Sequence, residues 1–181
     1  MKKIKSIIIT TVILTLICVI SAAGLALTND LTAERVAGLA KKAEESAMTR
    51  IVAAEKYESA TVTVNEVEHT YYKASGEGVN AYIFTNSANG YGGQVKVMTG
   101  IDFDGKIIAI EVLSAADETP GLGQNVAKLS FWEQFKNLSG ETTVGGNVQA
   151  VTGATYSSKA VCECVNEALD LFDTITKEGE K

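Results

Sequence analysis

The chain has 181 residues, 22 Asp and Glu against 16 Lys and Arg, and a net charge of −6. All 22 acidic residues and 13 of the 16 basic ones lie beyond residue 27, where the net charge is near −9, which argues against nucleic acid or anionic lipid headgroups as partners. Three cysteines without a Cys-x-x-Cys pair or haem attachment motif, and a single histidine, leave no set of metal ligands, so any redox role requires an organic cofactor.

Residues 1–5 carry Lys2, Lys3 and Lys5, and Ser6 to Leu27 follow as 22 residues with no charge. A helix of that length measures about 33 Å, enough for a hydrocarbon core of roughly 30 Å. The lysines place residues 1–5 in the cytoplasm and the rest of the chain outside. A cleaved signal peptide is the alternative, since Gly24-Leu25-Ala26 resembles a small-x-small site; the apolar run is longer than the ~7–15 residues usual for a signal peptide. Cys18 lies inside the run, and Ile17 before it is too bulky for a lipoprotein site. What remains, 154 residues, suits one domain.

Leu31 to Lys56 is rich in Ala, Glu and Lys and predicts a stalk helix over 28–57 that continues or closely follows the span. Val, Thr and Tyr in Thr61–Val67, His69–Ala74 and Val79–Thr85 predict strands; Asn86–Gly93 reads as a loop. Gln94–Phe103 and Lys106–Leu113 predict a hairpin around Asp104-Gly105, a two-residue turn signal. Asn125–Phe135 predicts a short helix with Leu129, Trp132 and Phe135 on one face, or a later start at Ser130, which has capping-box spacing with Glu133. Gly140–Gly146 reads as a loop, Asn147–Val151 as a short strand, and Tyr156–Lys177 as a final helix. Val161, Val165, Ala168, Leu169, Phe172 and Ile175 recur there at helical spacing, so that helix packs on the sheet. Cys162 and Cys164, two apart on it, face different ways and cannot easily pair. Strands in a run with helices at the ends indicate an α+β fold, an antiparallel sheet packed by helices over 58–181.

Two motifs carry chemistry. Thr152-Gly153-Ala154-Thr155, with Tyr156, Ser157 and Ser158 behind it, sets a hydroxyl at the start of the last helix. Gly153 permits a tight turn and Ala154 leaves space beside the backbone. A helix start offers unpaired N–H groups and the positive end of the peptide dipole, so it suits a phosphate, and the hydroxyls of Ser157 and Ser158 can add to it. Read locally, Thr155 is alternatively an N-cap. The second motif is Glu118-Thr119-Pro120-Gly121-Leu122-Gly123. Pro120-Gly121 fits the centre of a type II turn, Gly121 and Gly123 let backbone approach a flat ligand, and Leu122 offers an apolar contact. Alone, it reads as a loop between a strand and a helix.

Glu-Thr-Pro-Gly-Leu-Gly followed some thirty residues later by Thr-Gly-Ala-Thr resembles the FMN-binding domain family, which includes the G subunit of the Rnf complex and the C subunit of the sodium-pumping NADH:quinone reductase. The resemblance covers nearly the whole chain, and the short length and single flavin motif look most like the Rnf G subunit. It implies that Thr155 carries FMN through a phosphoester made by a flavin transferase using FAD, and that Glu118–Gly123 lies beside the flavin. It also implies an electron relay in the cell membrane, working with other membrane proteins of an Rnf-type complex that pass electrons between ferredoxin and NAD while moving Na⁺ or H⁺. Another extracytoplasmic flavin-based system, or the quinone reductase itself, is the alternative. The chain departs from the family pattern twice: Gln149 stands where Asp is common, and Ala116-Asp117 where members have a His or another polar residue. Outside the family reading, a pilin-like protein or a cofactor-free sensor module also fits an apolar N-terminal helix with a strand-rich end, although pilins require a Glu that residues 1–27 lack. His69 reads as a strand residue, and Trp132 and Phe131 as core or interface anchors.

Overall fold

The computed structural model describes residues 2–64, 66–76 and 78–179. Met1, Asn65 in the expected first strand, and Glu180 and Lys181 at the end of the expected outer domain lie outside the described residues, as do the side chains of Lys2 and Lys3. The chain divides into two compact units, one ending at Lys42 and one beginning at Ala43.

Helix α1 runs Lys2–Ile51. Its segment within the first unit exposes Ile, Leu and Val all round, and the helix is long and apolar enough to cross a membrane. Thr11 and Thr28 turn their hydroxyls back onto the carbonyls of Ile7 and Gly24, at 3.0 and 2.8 Å, so that their polar atoms are satisfied within the helix. The sequence places the end of the stalk near Lys56, five residues too late. The Tyr57 hydroxyl donates to the Val52 carbonyl (2.6 Å) and accepts from the Ala54 N–H (3.2 Å), so the chain turns into β1 instead of continuing the helix.

The second unit is a five-stranded antiparallel meander in the order β1-β2-β3-β4-β5. The strands are β1 (Lys56–Val64), β2 (Val67–Gly76), β3 (Val79–Asn89), β4 (Gln94–Asp102) and β5 (Ile107–Ser114). Alternation in β3 sends Ala81 and Ile83 to one face and Tyr82 and Phe84 to the other. On the first face, Ala47, Met48, Ile51 and Val52 from the end of α1 cover Ala74, Ile83 and Met98. On the second, α3 (Thr155–Gly179) packs Val161, Val165, Ala168, Leu169 and Phe172 over Tyr82, Phe84, Val97 and Ile101. This is the expected α+β arrangement of a sheet packed by helices. Cys162 and Cys164 are both free and buried, because α3 is covered on two sides. Burial pushes the Cys164 thiol up to about 12.

Four elements differ from their local signals. Asn86 to Asn89 belong to β3, not to a loop, because they pair with Val97, Lys96, Val95 and Gln94 and so join a complete ladder. The β4–β5 connection spans four residues, Phe103 to Lys106, not the two-residue turn. Gly105 donates its N–H to the Asp102 carbonyl at 3.1 Å with φ +78°, and the Asp102 carboxylate accepts the N–H groups of Asp104 and Lys106 at 3.0 and 2.8 Å. Residues 123–135 form a 3₁₀ turn (Gly123–Ala127), a single helical turn α2 (Leu129–Trp132) and a second 3₁₀ turn (Glu133–Phe135), without a side-chain cap at any start. The Ser130–Glu133 capping box does not form, since Lys128 in extended conformation already precedes the turn. The expected strand at Asn147–Val151 reduces to one bridge, Val144 to Val148.

Candidate functional site

The two sequence motifs meet through a pair of matching turns. The Leu122 N–H donates to the Thr119 carbonyl at 3.1 Å around Pro120 and Gly121, and the Ala154 N–H donates to the Val151 carbonyl at 2.9 Å around Thr152 and Gly153. Gly121 and Gly153 occupy the third position of each turn with φ +72° and +75°, as a type II turn requires. The turns interlock: a Cβ on Gly153 would come within 2.9 Å of Leu122 Cδ1.

Helix α3 begins directly behind the second turn. The Ala154 carbonyl accepts the Ser158 N–H at 3.0 Å, which makes Ala154 the capping residue and Thr155 the first residue of the helix. The Thr155 side chain is exposed, and among the described residues neither its hydroxyl nor the N–H groups of Thr155, Tyr156 and Ser157 has a hydrogen-bond partner. Three free donors and the positive helix end thus surround an unengaged alcohol.

Ser157 and Ser158 face inward. The Ser158 hydroxyl is fully buried, donates to the Ala154 carbonyl (2.9 Å) and accepts the Val151 N–H (3.0 Å), bracing the turn. The Ser157 hydroxyl donates to Glu118 Oε2 at 2.5 Å, and Glu118 Oε1 accepts the Gly92 N–H at 3.0 Å. Burial alone would raise the Glu118 carboxyl. The Ser157 hydroxyl and the amides of Gly92, Gly93 and Tyr91 outweigh it and hold the group below its ordinary range, so it stays charged at the base of the site. Gly92 is required by close approach, because a Cβ there would collide with the Asp117 carbonyl oxygen.

A cleft of about 440 Å³ opens over these groups, lined by Tyr91, Glu118, Thr119, Leu122, Gly123, Gly153, Ala154, Thr155, Tyr156 and Ser157. Of the residues singled out in the sequence, Thr152, Pro120, Gly121 and Ser158 form its supporting turns and do not line it. Gln149 lies away from it, exchanging hydrogen bonds with Gln134. Trp132 donates its indole N–H to the Val126 carbonyl and Phe131 stacks edge-on with Phe135, both outside the cleft. His69 stands in β2 with Nδ1 3.7 Å from Glu167 Oε1. Sequence reasoning missed Tyr91. The only local signal for it is an aromatic residue amid Gly90, Gly92 and Gly93, and nothing local links that loop to Glu118.

The residues present fit a flavin phosphate. Open amides and an alcohol stand at one end of the cleft, and the apolar surfaces of Tyr91, Leu122 and Tyr156 line it.

The model of the FMN-binding domain family matches residues 90–170, from the glycine loop through most of α3. The G subunit of the proton-translocating ferredoxin:NAD(+) oxidoreductase complex of Clostridium ljungdahlii is 38% identical over 120 residues, covering 62% of this chain and 64% of that protein, so the match spans slightly less than two thirds of that relative. The G subunit of the ion-translocating oxidoreductase complex of Methanosarcina acetivorans is 32% identical over 181 residues, covering 93% of this chain and 94% of that one. Among solved structures, the C subunit of the Na(+)-translocating NADH-quinone reductase of Parabacteroides distasonis has a TM-score of 0.49 and 26% identity, covering 56% of this chain and 59% of its own. With its FMN-binding domain match and a relative similar over almost its full length, this chain belongs to the family of the G subunits of ion-translocating oxidoreductase complexes.

Proposed function

We propose that the protein is a membrane-anchored electron carrier whose FMN is joined to Thr155 Oγ1 through a phosphoester, acting as the G subunit of an Rnf-type complex. The observation that carries this reading is the exposed, unpartnered Thr155 hydroxyl at the mouth of three free helix amides, beside a cleft with apolar walls. Attachment requires a flavin transferase with FAD as donor. The Thr155 oxygen bonds to the phosphorus of the FMN half, the pyrophosphate bond breaks, AMP leaves, and the hydroxyl proton passes to the transferase.

When bound, FMN supplies the electron-transfer chemistry. The chain's own residues hold and place it. The amides of Thr155, Tyr156 and Ser157 would hold the phosphate, Glu118 keeps the two loops together, and Leu122 with the two tyrosines would shield the cleft from water. Residues 6–27 anchor the protein with residues 1–5 in the cytoplasm, 28–57 form the stalk region, and 58–181 form the extracytoplasmic domain. The anchor raises the concentration of that domain near partner proteins in the same membrane. Those partners pass electrons between ferredoxin and NAD while translocating Na⁺ or H⁺, in keeping with the name of the Clostridium relative.

The test is to produce the chain together with its native transferase, run it on a denaturing gel and measure its mass. Flavin fluorescence should stay with the band, the mass should rise by FMN less one water, and Thr155→Ala should lose both while Thr155→Ser keeps them. A wild-type mass equal to the bare polypeptide would overturn the reading.

A further inference from the structure

We infer that Tyr91 is the aromatic wall on which the flavin ring stacks, and that Glu118 is the positioning residue that holds Tyr91 there. This rests on the reading of Thr155 as the flavin anchor. Six of the twelve rings of the second unit, Tyr71, Tyr82, Phe84, Phe131, Phe135 and Phe172, are buried, and the exposed Phe103 packs edge-on against one of them, Tyr82. Tyr91 and Tyr156 are 75% and 70% exposed and pair with each other, with centroids 6.4 Å apart and planes tilted by 44°. That tilt is neither an offset stack nor an edge-to-face pair, so their faces remain available to a flat guest. Together with Leu122 they make an exposed apolar surface that folding alone does not explain.

Both tyrosines line the cleft. Tyr156 adjoins the anchor residue, while Tyr91 projects from the Gly90–Gly93 loop, which is closed by the Gly90 N–H to Gly93 carbonyl bond at 2.8 Å. The position of this loop is tied to the anchor by a short relay. Ser157, two residues after Thr155, donates to Glu118 Oε2, and Glu118 Oε1 accepts the Gly92 N–H next to Tyr91. Gly93 packs so closely that a Cβ would lie 2.5 Å from Asp117 Cβ, so the loop has little room to shift. A ring tethered at Thr155 therefore meets Tyr91 in a fixed place.

A phenol in face contact with an excited flavin quenches its emission, which gives a readout independent of electron-transfer activity. Wild type, Tyr91→Ala, Tyr91→Leu, Tyr91→Phe and Glu118→Gln are flavinylated as full-length chains, and each emission is normalised to the flavin load found by mass. Tyr91→Ala and Tyr91→Leu should both brighten, reflecting a shift of about two- to tenfold in the ratio of stacked to open ring. Tyr91→Phe should brighten as well, because its ring can stack but lacks the oxidisable phenol. Glu118→Gln should brighten with Tyr91 intact, and Tyr91→Ala with Glu118→Gln should be no brighter than Tyr91→Ala alone. Tyr91→Leu keeps apolar bulk, so it reads the contact if the alanine variant unfolds. Unchanged emission per attached flavin in the Tyr91 variants would overturn the inference, whereas absence of attached flavin in wild type would overturn the anchor reading instead.

Discussion

The Ser157 hydroxyl donates to Glu118 Oε2 at 2.5 Å, joining the first turn of α3 to the loop after β5 across a separation of 39 residues. The other carboxylate oxygen takes the Gly92 N–H at 3.0 Å, so one buried side chain ties three segments that are remote in sequence. A charged acceptor with several donors tolerates burial. Removing it strands the donors.

Glu118→Ala should therefore lower the stability of the full-length chain by about 2–4 kcal/mol, since it removes charge-assisted bonds and leaves buried donors unmatched. Ser157→Ala should cost about 1–2 kcal/mol, and the double variant less than the sum, because both changes delete the same bond. Denaturant titration followed by the single tryptophan, Trp132, measures all three. Strict additivity would mean that the two groups do not share a bond in solution.

The same carboxyl makes stability depend on pH. Its proton affinity is lower in the folded protein than in the unfolded chain, where it titrates near its ordinary value of 4.5. Its contribution is full above that value, shrinks as pH falls through it toward the depressed folded value, and is absent below both. Denaturation midpoints measured from pH 7 down to pH 3 should fall more steeply for wild type than for Glu118→Gln. Parallel profiles would contradict the assignment.

Gly153 carries φ +75° and meets Leu122, so Gly153→Ala combines backbone strain with a clash. Left-handed backbone costs an alanine about 1–2 kcal/mol, and the contact adds to this. Leu122→Ala in the same chain should recover the steric part and leave the backbone part, a coupling that thermal melts of the four chains can resolve. No recovery would mean that the two turns do not touch.

Much of this architecture is legible locally. The strand and helix signals of β4, β5 and α3 come from alternation and helical spacing, and the positive φ at Gly121 and Gly153 follows from turn chemistry. The unread parts depend on distant partners. Asn86 to Asn89 look like a loop because Asn, Ser and Gly disfavour strands, yet β4 supplies a ladder for them. Residues 125–135 have helical spacing, but their turns are broken by the extended Lys128. At the site, Thr155 and Glu118 are marked by their motifs, whereas Tyr91 becomes visible only once Glu118 brings the glycine loop across.

The interlocked turns limit how far the segment around Thr155 can be transplanted. Residues 149–158 grafted as a tag onto an unrelated scaffold would bring the acceptor alcohol and half of its turn, but neither Leu122 nor the carboxylate that locks Ser157. If Thr155 is flavinylated as proposed, such a tag would display a cofactor on a tether with its ring open to water, suitable as a dye but not as a conductor tuned by its surroundings.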